Sequence, residues 1–161
     1  MPKRIDVASL PVVTGTLYPP PFDEPCRARY RQRLGDAAGL TQYGVNLVRL
    51  APGAWSSQRH WHVAQDEFIY ILSGEVTLVT DAGAEVLRPG DCAGFKAGEG
   101  DGHHLQNRSG ADATFLEMGT RPPDDAAFYS DIDMKVSAAD PPGTYKHRDG
   151  TPYPAQERRG P

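Results

Sequence analysis

The sequence predicts an all-β domain, a sandwich or barrel of short strands. Three observations carry that expectation. Short apolar runs recur with a turn signal at roughly every eighth to tenth residue, the spacing of strands in sandwiches and barrels. Seventeen glycines and fifteen prolines suit many short strands joined by turns. At 161 residues the chain is one ordinary domain, long enough to bury a core.

Residues 1–42 read as an N-terminal arm ending in an edge strand. Residues 1–21 are extended and proline-rich, closing on Pro19-Pro20-Pro21, and are expected to lie across the barrel or a partner subunit. Within them, residues 1–8 read as a loose tail. Residues 22–29 suit a single helical turn with Asp23 and Glu24 at its start. Arg27, Arg29, Arg31 and Arg33 alternate, as on a strand with one solvated face, and their expected role is surface charge on an edge. Residues 35–39 form a turn.

Residues 43–120 hold the barrel. A core strand at 44–51 is stopped by Pro52-Gly53, and the next strand runs over 56–62. Residues 68–72 and 75–80 read as a hairpin through Ser73-Gly74. Further strands follow at 85–87, 92–95, 104–107 and 113–119, with a glycine-rich loop at 96–102. Residues 121–161 read as a C-terminal segment wrapping the barrel's wall or mouth. A helical turn is expected at 124–129, then irregular chain anchored by Tyr129, Ile132, Met134, Tyr145 and Tyr153.

A net charge of −4 with 24% charged residues argues against an electrostatic grip on nucleic acid. No apolar run approaches the ~20 residues of a spanning helix, and the first six residues lack the apolar core of a secretion signal. A cytoplasmic protein with no membrane partner is the expectation. Cys26 and Cys92 form no C-x-x-C pair and read as free thiols, Cys92 as a small buried filler.

The chemistry is concentrated at His60-Trp61-His62 and Glu67. Alternate side chains on a strand share a face, so His60 and His62 project together. Glu67 opens the next apolar run after a short polar turn. Two imidazoles and a carboxylate from neighbouring strands can converge as a divalent metal requires. The tripeptide alone reads more readily as chance on a polar edge strand. Parity turns Gln58 toward the same pocket, and turns Arg59 and Trp61 away from it, Trp61 toward the N-terminal arm or a dimer contact. Tyr43, beside the histidine strands, is a further candidate for meeting a substrate carboxylate or hydroxyl. His147, in the tail, reads as exposed.

A second match lies some forty residues on: Gly90-Asp91, Gly98, His103 and Asn107. With Gly53, His60, His62, Glu67 and Gly74 it resembles the paired motifs of the cupin superfamily. The gap from Gly53 to His60 is one residue long for that pattern, Lys96 replaces a proline, and the loop before His103 is longer by two residues. The resemblance covers about residues 43–119. It implies a jelly-roll β-barrel holding one divalent ion (iron, manganese, nickel, copper or zinc) on His60, His62, Glu67 and His103. The spacing His103-x-x-x-Asn107, with apolar Leu105 between, favours His103 over His104, for which a structural hydrogen bond is expected. Asn107, Gln106 and Asp66 are candidates to orient the imidazoles or to serve as turn residues. Residues 33–40, 102–105 and 147–153 resemble a bacterial subgroup of small cupins, some labelled sugar-phosphate isomerase-like. Cupins of this size usually form homodimers.

Three functions are consistent with these residues. The first is a metal-dependent enzyme acting on a small oxygenated metabolite (a sugar, hydroxy acid or keto acid) by isomerisation, elimination or oxygenation. The second is a metal-dependent ligand-binding or sensor module without turnover. The third, a metal-free structural role, sits poorly with an intact ligand set.

Overall fold

The computed structural model describes residues 4–161. Its strands are β1 (Val13–Thr14), β2 (Arg29–Arg33), β3 (Tyr43–Leu50), β4 (His60–His62), β5 (Glu67–Ser73), β6 (Val76–Thr80), β7 (Gly83–Leu87), β8 (Cys92–Phe95), β9 (His104–Gln106), β10 (Ala113–Thr120), β11 (Ala126–Tyr129) and β12 (Lys135–Ser137). One antiparallel sheet runs β1-β2-β3-β10-β5-β8, and facing it are β7-β6-β9 and β12-β11-β4. The last two are stitched together by a bridge in which His60 and His103 exchange both backbone hydrogen bonds. The result is a jelly-roll barrel, as the motif resemblance implies; the strand pattern alone left sandwich and barrel open.

Cross-strand partners share a face, so the register lays the interior out in rows. One row is Arg31–Val48–Phe115–Ile71, the next Arg33–Asn46–Glu117–Ile69, and the third Gly44–Gly119–Glu67–Phe95. One end of the barrel is therefore filled by Val48, Leu50, Ile71, Val76, Leu105 and Phe115, all at 3% exposure or less. Burying side chains of this size stabilises by about 1.5–3 kcal/mol each. The other end carries polar side chains and stays open. A second cluster, of Tyr18, Cys26, Tyr129 and Met134 with Tyr145 and Tyr153 against it, clamps both arms onto the barrel wall.

Several expectations are corrected. The strands at 68–72 and 75–80 are not a hairpin. Both flanks of β5 are taken, by β10 and β8, so the chain crosses at Gly74 to start the opposite sheet. Gly74 has φ +70°, and a Cβ there would lie 2.5 Å from the carbonyl oxygen of Asp112, so only glycine fits the crossing. Residues 56–59 are irregular and only His60–His62 is strand. Residues 124–129 are not a helical turn but contain β11, which pairs with the otherwise open edge of β4 and stacks Phe128 on Trp61. Trp61 thus packs on the C-terminal segment, not on the N-terminal arm. The tail also adds β12.

Of the alternating arginines, Arg29 and Arg31 are not surface charge on an edge, whereas Arg33 is exposed and Arg27 lies before β2, paired with Asp23. β2 lies between β1 and β3, and Arg29, Arg31 and Arg33 share the interior face with Leu50, Val48 and Asn46. Cys92 is exposed rather than buried, and Cys26 is buried. Of the tail expected at 1–8, residues 1–3 lie outside the described residues. The remainder is held where Gln32 Nε2 donates to the carbonyls of Val7 and Leu10 at 2.8 and 3.1 Å. Among the described residues no helix is long and apolar enough to cross a membrane.

Candidate metal centre

β4 presents His60 and His62 on one face, and the first residue of β5 presents Glu67. The ligating atoms of these three residues all lie within 4.8 Å of one another. His103, bridged to His60 through the backbone, brings a third imidazole beside the carboxylate. The distances from Glu67 Oε2 are 2.9 Å to His103 Nε2, 3.5 Å to His62 Nε2 and 3.9 Å to His60 Nε2.

Two of the imidazoles are oriented from their far side. His62 Nδ1 is 2.6 Å from Asp125 Oδ2, and His60 Nδ1 is 2.9 Å from the carbonyl oxygen of Gln58 and 3.3 Å from Ser57 Oγ. A carboxylate and a carbonyl can only accept, so both rings carry the proton on Nδ1 and turn the Nε2 lone pair inward. That tautomer is the one a metal ligand needs. His103 is held differently, by face-to-face stacking on Phe95 at 3.6 Å and 2°.

Burial holds the His60 imidazolium down to about 4, against a smaller opposing pull from Glu67. For Glu67, burial alone would raise the pKa. Contact with His103 and the charge of the imidazoles outweigh burial and hold it at about 2. At neutral pH the cluster therefore offers a neutral His60 imidazole and an ionised Glu67 carboxylate. Among the described residues Glu67 Oε2 is buried and makes no hydrogen bond, although His103 Nε2 lies 2.9 Å away. A buried, ionised oxygen without a partner is costly. A divalent cation would relieve it, and the nitrogen–oxygen donor set suits one.

The other candidate residues stand elsewhere. Tyr43 is 45% exposed, on the outer-facing parity of β3. Gln58 is buried but donates from Nε2 to the carbonyl of Phe22 at 2.8 Å, pinning the arm rather than facing the centre. It turns away because the chain is irregular before His60, so strand parity does not extend to it; Ser57 takes the place beside the imidazole. Asn107 is a turn residue, with Nδ2 bonded to the carbonyls of Leu50 and Ala111 and Oδ1 accepting from Ser109. Asp66 caps the backbone N–H of Ala97, and Gln106 meets His104 Nε2 at 2.9 Å. His104 is buried and bonded to the carbonyl of Ser57. Arg59 points away, to Asp131 and Asp81. His147 pairs with Asp133 and stacks on Tyr153. Asp125 escaped the sequence reading, which placed residues 124–129 in a helical turn. It also accepts from the backbone N–H groups of Ala64 and Gln65, locking the turn between β4 and β5.

Two cavities meet at the cluster. The larger, about 390 Å³, is bounded by β2, β3, β10 and both arms and opens onto His60, His62 and Glu67. The smaller, about 200 Å³, opens onto His62, Glu67 and His103.

Fold and site together define a small jelly-roll protein whose open end carries a buried cluster fit for a divalent cation. Residues 46–119 match the cupin domain family. The chain is 46% identical to a sugar phosphate isomerase of the cupin superfamily from Silicibacter pomeroyi, with a TM-score of 0.87 over 94% of this chain and 96% of that one. It is 29% identical to a protein from Acidithiobacillus ferrooxidans provisionally named a sugar phosphate isomerase, with a TM-score of 0.66 over 73% of this chain and 74% of that one. A polyketide cyclase from Streptomyces resistomycificus, 22% identical with a TM-score of 0.62 over 81% of this chain and 89% of that one, shares the fold. No curated protein is a significant match. The chain belongs to the cupin superfamily.

Proposed function

We propose that the chain is a metal-dependent enzyme acting on a small oxygenated metabolite, with His60, His62, Glu67 and His103 holding one divalent ion. The observation that carries this reading is the convergence of three imidazole Nε2 atoms on the unpartnered, buried Glu67 Oε2. Of sugar, hydroxy acid and keto acid, the names of two of the similar structures favour a sugar, and of isomerisation, elimination and oxygenation they favour isomerisation.

Bound there, the ion would polarise a substrate carbonyl or hydroxyl. The chain's own residues supply the rest. Asp125 and the Gln58 carbonyl fix the imidazoles. The arms, through Tyr18 and Tyr145, narrow the larger cavity and limit water at the centre. Among the described residues that cavity carries one carboxylate besides Glu67, namely Glu117. Its Oε1 accepts from Asn46 Nδ2 at 3.0 Å, leaving Oε2 to take a proton from one substrate carbon or oxygen and return it to the next.

Elemental analysis of protein purified without added metal, beside His103→Ala, tests the centre. About one equivalent in the wild type and much less in the variant is the expected result. A screen of aldose–ketose pairs with the loaded protein then tests turnover. Ligand binding without turnover would make the chain a binding module instead. No metal in either protein, and no uptake on reconstitution, would overturn the reading.

A further inference from the structure

The larger cavity has a charge pattern that the metal centre does not explain. Five arginines line it, Arg29, Arg31, Arg33, Arg121 and Arg158, against two carboxylates, Glu67 and Glu117. Glu67 belongs to the metal cluster. Arg33 and Arg121 share one partner, Asp36, at 3.6 and 2.5 Å. Among the described residues, Arg29 and Arg158 pair with no carboxylate, and Arg31 has one distant one. Arg29 donates to the carbonyl oxygens of Ser56 and Gly15, and Arg158 donates to the same Gly15 oxygen at 3.0 Å. Carbonyls satisfy donors but cancel no charge. Arg31 has only Glu117, 3.8 Å away and already engaged by Asn46, and its Nε is buried without a partner.

Like charges packed this closely repel and destabilise the fold unless something compensates them. Burial, and the nearness of Arg29, Arg33 and Arg158, push the Arg31 guanidinium below its ordinary range, with Glu117 only partly offsetting them. Burial and the same neighbours, Arg29 and Arg33, push Arg158 in the same direction. Arginine forks match the oxygens of a tetrahedral oxyanion, and the three approach from two walls: β2 gives Arg29 and Arg31, the C-terminal arm Arg158.

We infer that Arg31 and Arg158, backed by Arg29, form a subsite for the phosphate group of a phosphate monoester, in the cavity that opens onto His60, His62 and Glu67. The inference deepens the proposed function by fixing the substrate class, and it rests on that reading for the position of the reacting end. The phosphate is the handle by which the substrate is held while its oxygenated end reaches the centre.

Inorganic phosphate, titrated calorimetrically into metal-loaded and metal-stripped protein, tests the subsite. Binding to both forms is expected, with Arg31→Gln and Arg158→Gln each weakening it tenfold or more while metal content stays near one equivalent. Arg31→Lys should recover part of the loss, and malonate, a planar dicarboxylate, should bind several-fold more weakly than phosphate. Should Arg31→Gln fail to fold by circular dichroism, Arg158→Gln and Arg31→Lys carry the test. Phosphate affinity within twofold of wild type in the folded variants, phosphate binding that vanishes with the metal, or tighter binding of malonate would each overturn the subsite. The two readings fail separately. Absent metal uptake with arginine-dependent phosphate binding removes the metal centre and keeps the subsite; normal metal uptake with arginine-independent binding does the reverse.

Discussion

The two cavities that meet at the cluster are built from different stretches of chain. The smaller is walled by β6, β8, the loop at 96–101 and Trp61, and its charges are mixed: Lys96 against Glu99 and Asp101. The larger draws on both arms, and all five of its arginines lie outside residues 46–119, the stretch that matches the cupin family. The barrel supplies the centre; the arms supply the charge that faces one side of it. A family match on the barrel therefore speaks to metal and fold, and says little about which metabolite reaches the metal.

Substitutions can break that division of labour. The largest effect is expected from Glu67→Ala, which should take metal content from about one equivalent to less than a tenth. Phosphate binding through the arginines should persist. Asp125→Asn keeps an acceptor for Ala64 and Gln65 but loses the charged partner of His62. A loss of 10–100-fold in metal affinity is expected by chelator competition, the usual cost of such a partner.

Acid should act on the barrel side first. His60 titrates at about 4 in the folded chain against an ordinary 6.5, so the unfolded chain takes up the proton earlier. The metal-free protein should lose about 3 kcal/mol of stability as pH falls from 6.5 to 4. Glu67, held at about 2 against 4.5, adds stability that is present above 4.5 and lost as pH falls through 2. Thermal melts across pH 7 to 3 read the first of these; a flat profile would contradict the burial of His60. Lys96→Gln, in the smaller cavity, should leave phosphate affinity within twofold, where Arg31→Gln costs tenfold. Equal effects would erase the contrast between the cavities. Smallest of all, Tyr43→Phe should leave metal content unchanged and stability within about 0.5 kcal/mol.

How much could be read ahead differs by residue. Short apolar runs bounded by turn signals located β3, β5 and β10, because a strand of this length needs only a local run and a stop at each end. The spacing of His60, His62 and Glu67 announced a cluster, since strand parity and one short turn fix their directions. Parity also put Arg29, Arg31 and Arg33 on one face, but it does not say which face is interior. That depends on β2 pairing with β3, a contact set by the tertiary fold. Asp125 was hidden for a similar reason. Its partner His62 is 63 residues away, and the strand that follows Asp125, β11, forms against the edge of β4 rather than from its own periodicity. The Gly74 crossing looked like a hairpin because local turn chemistry is the same whether the next strand pairs back or leaves for the other sheet.

The bond from Arg158 to the Gly15 carbonyl joins positions 143 residues apart, whereas the three imidazoles and Glu67 all lie between His60 and His103. Closing a longer loop costs more chain entropy, and distant contacts form late in folding. The four candidate ligands can therefore approach one another early, whereas Asp125, which orients His62 from 63 residues away, and the Arg158–Gly15 contact both wait for the arms to dock. An ion entering before that would meet an imidazole not yet fixed in direction, so the closing of the C-terminal segment would set both the chamber and the grip on the ion.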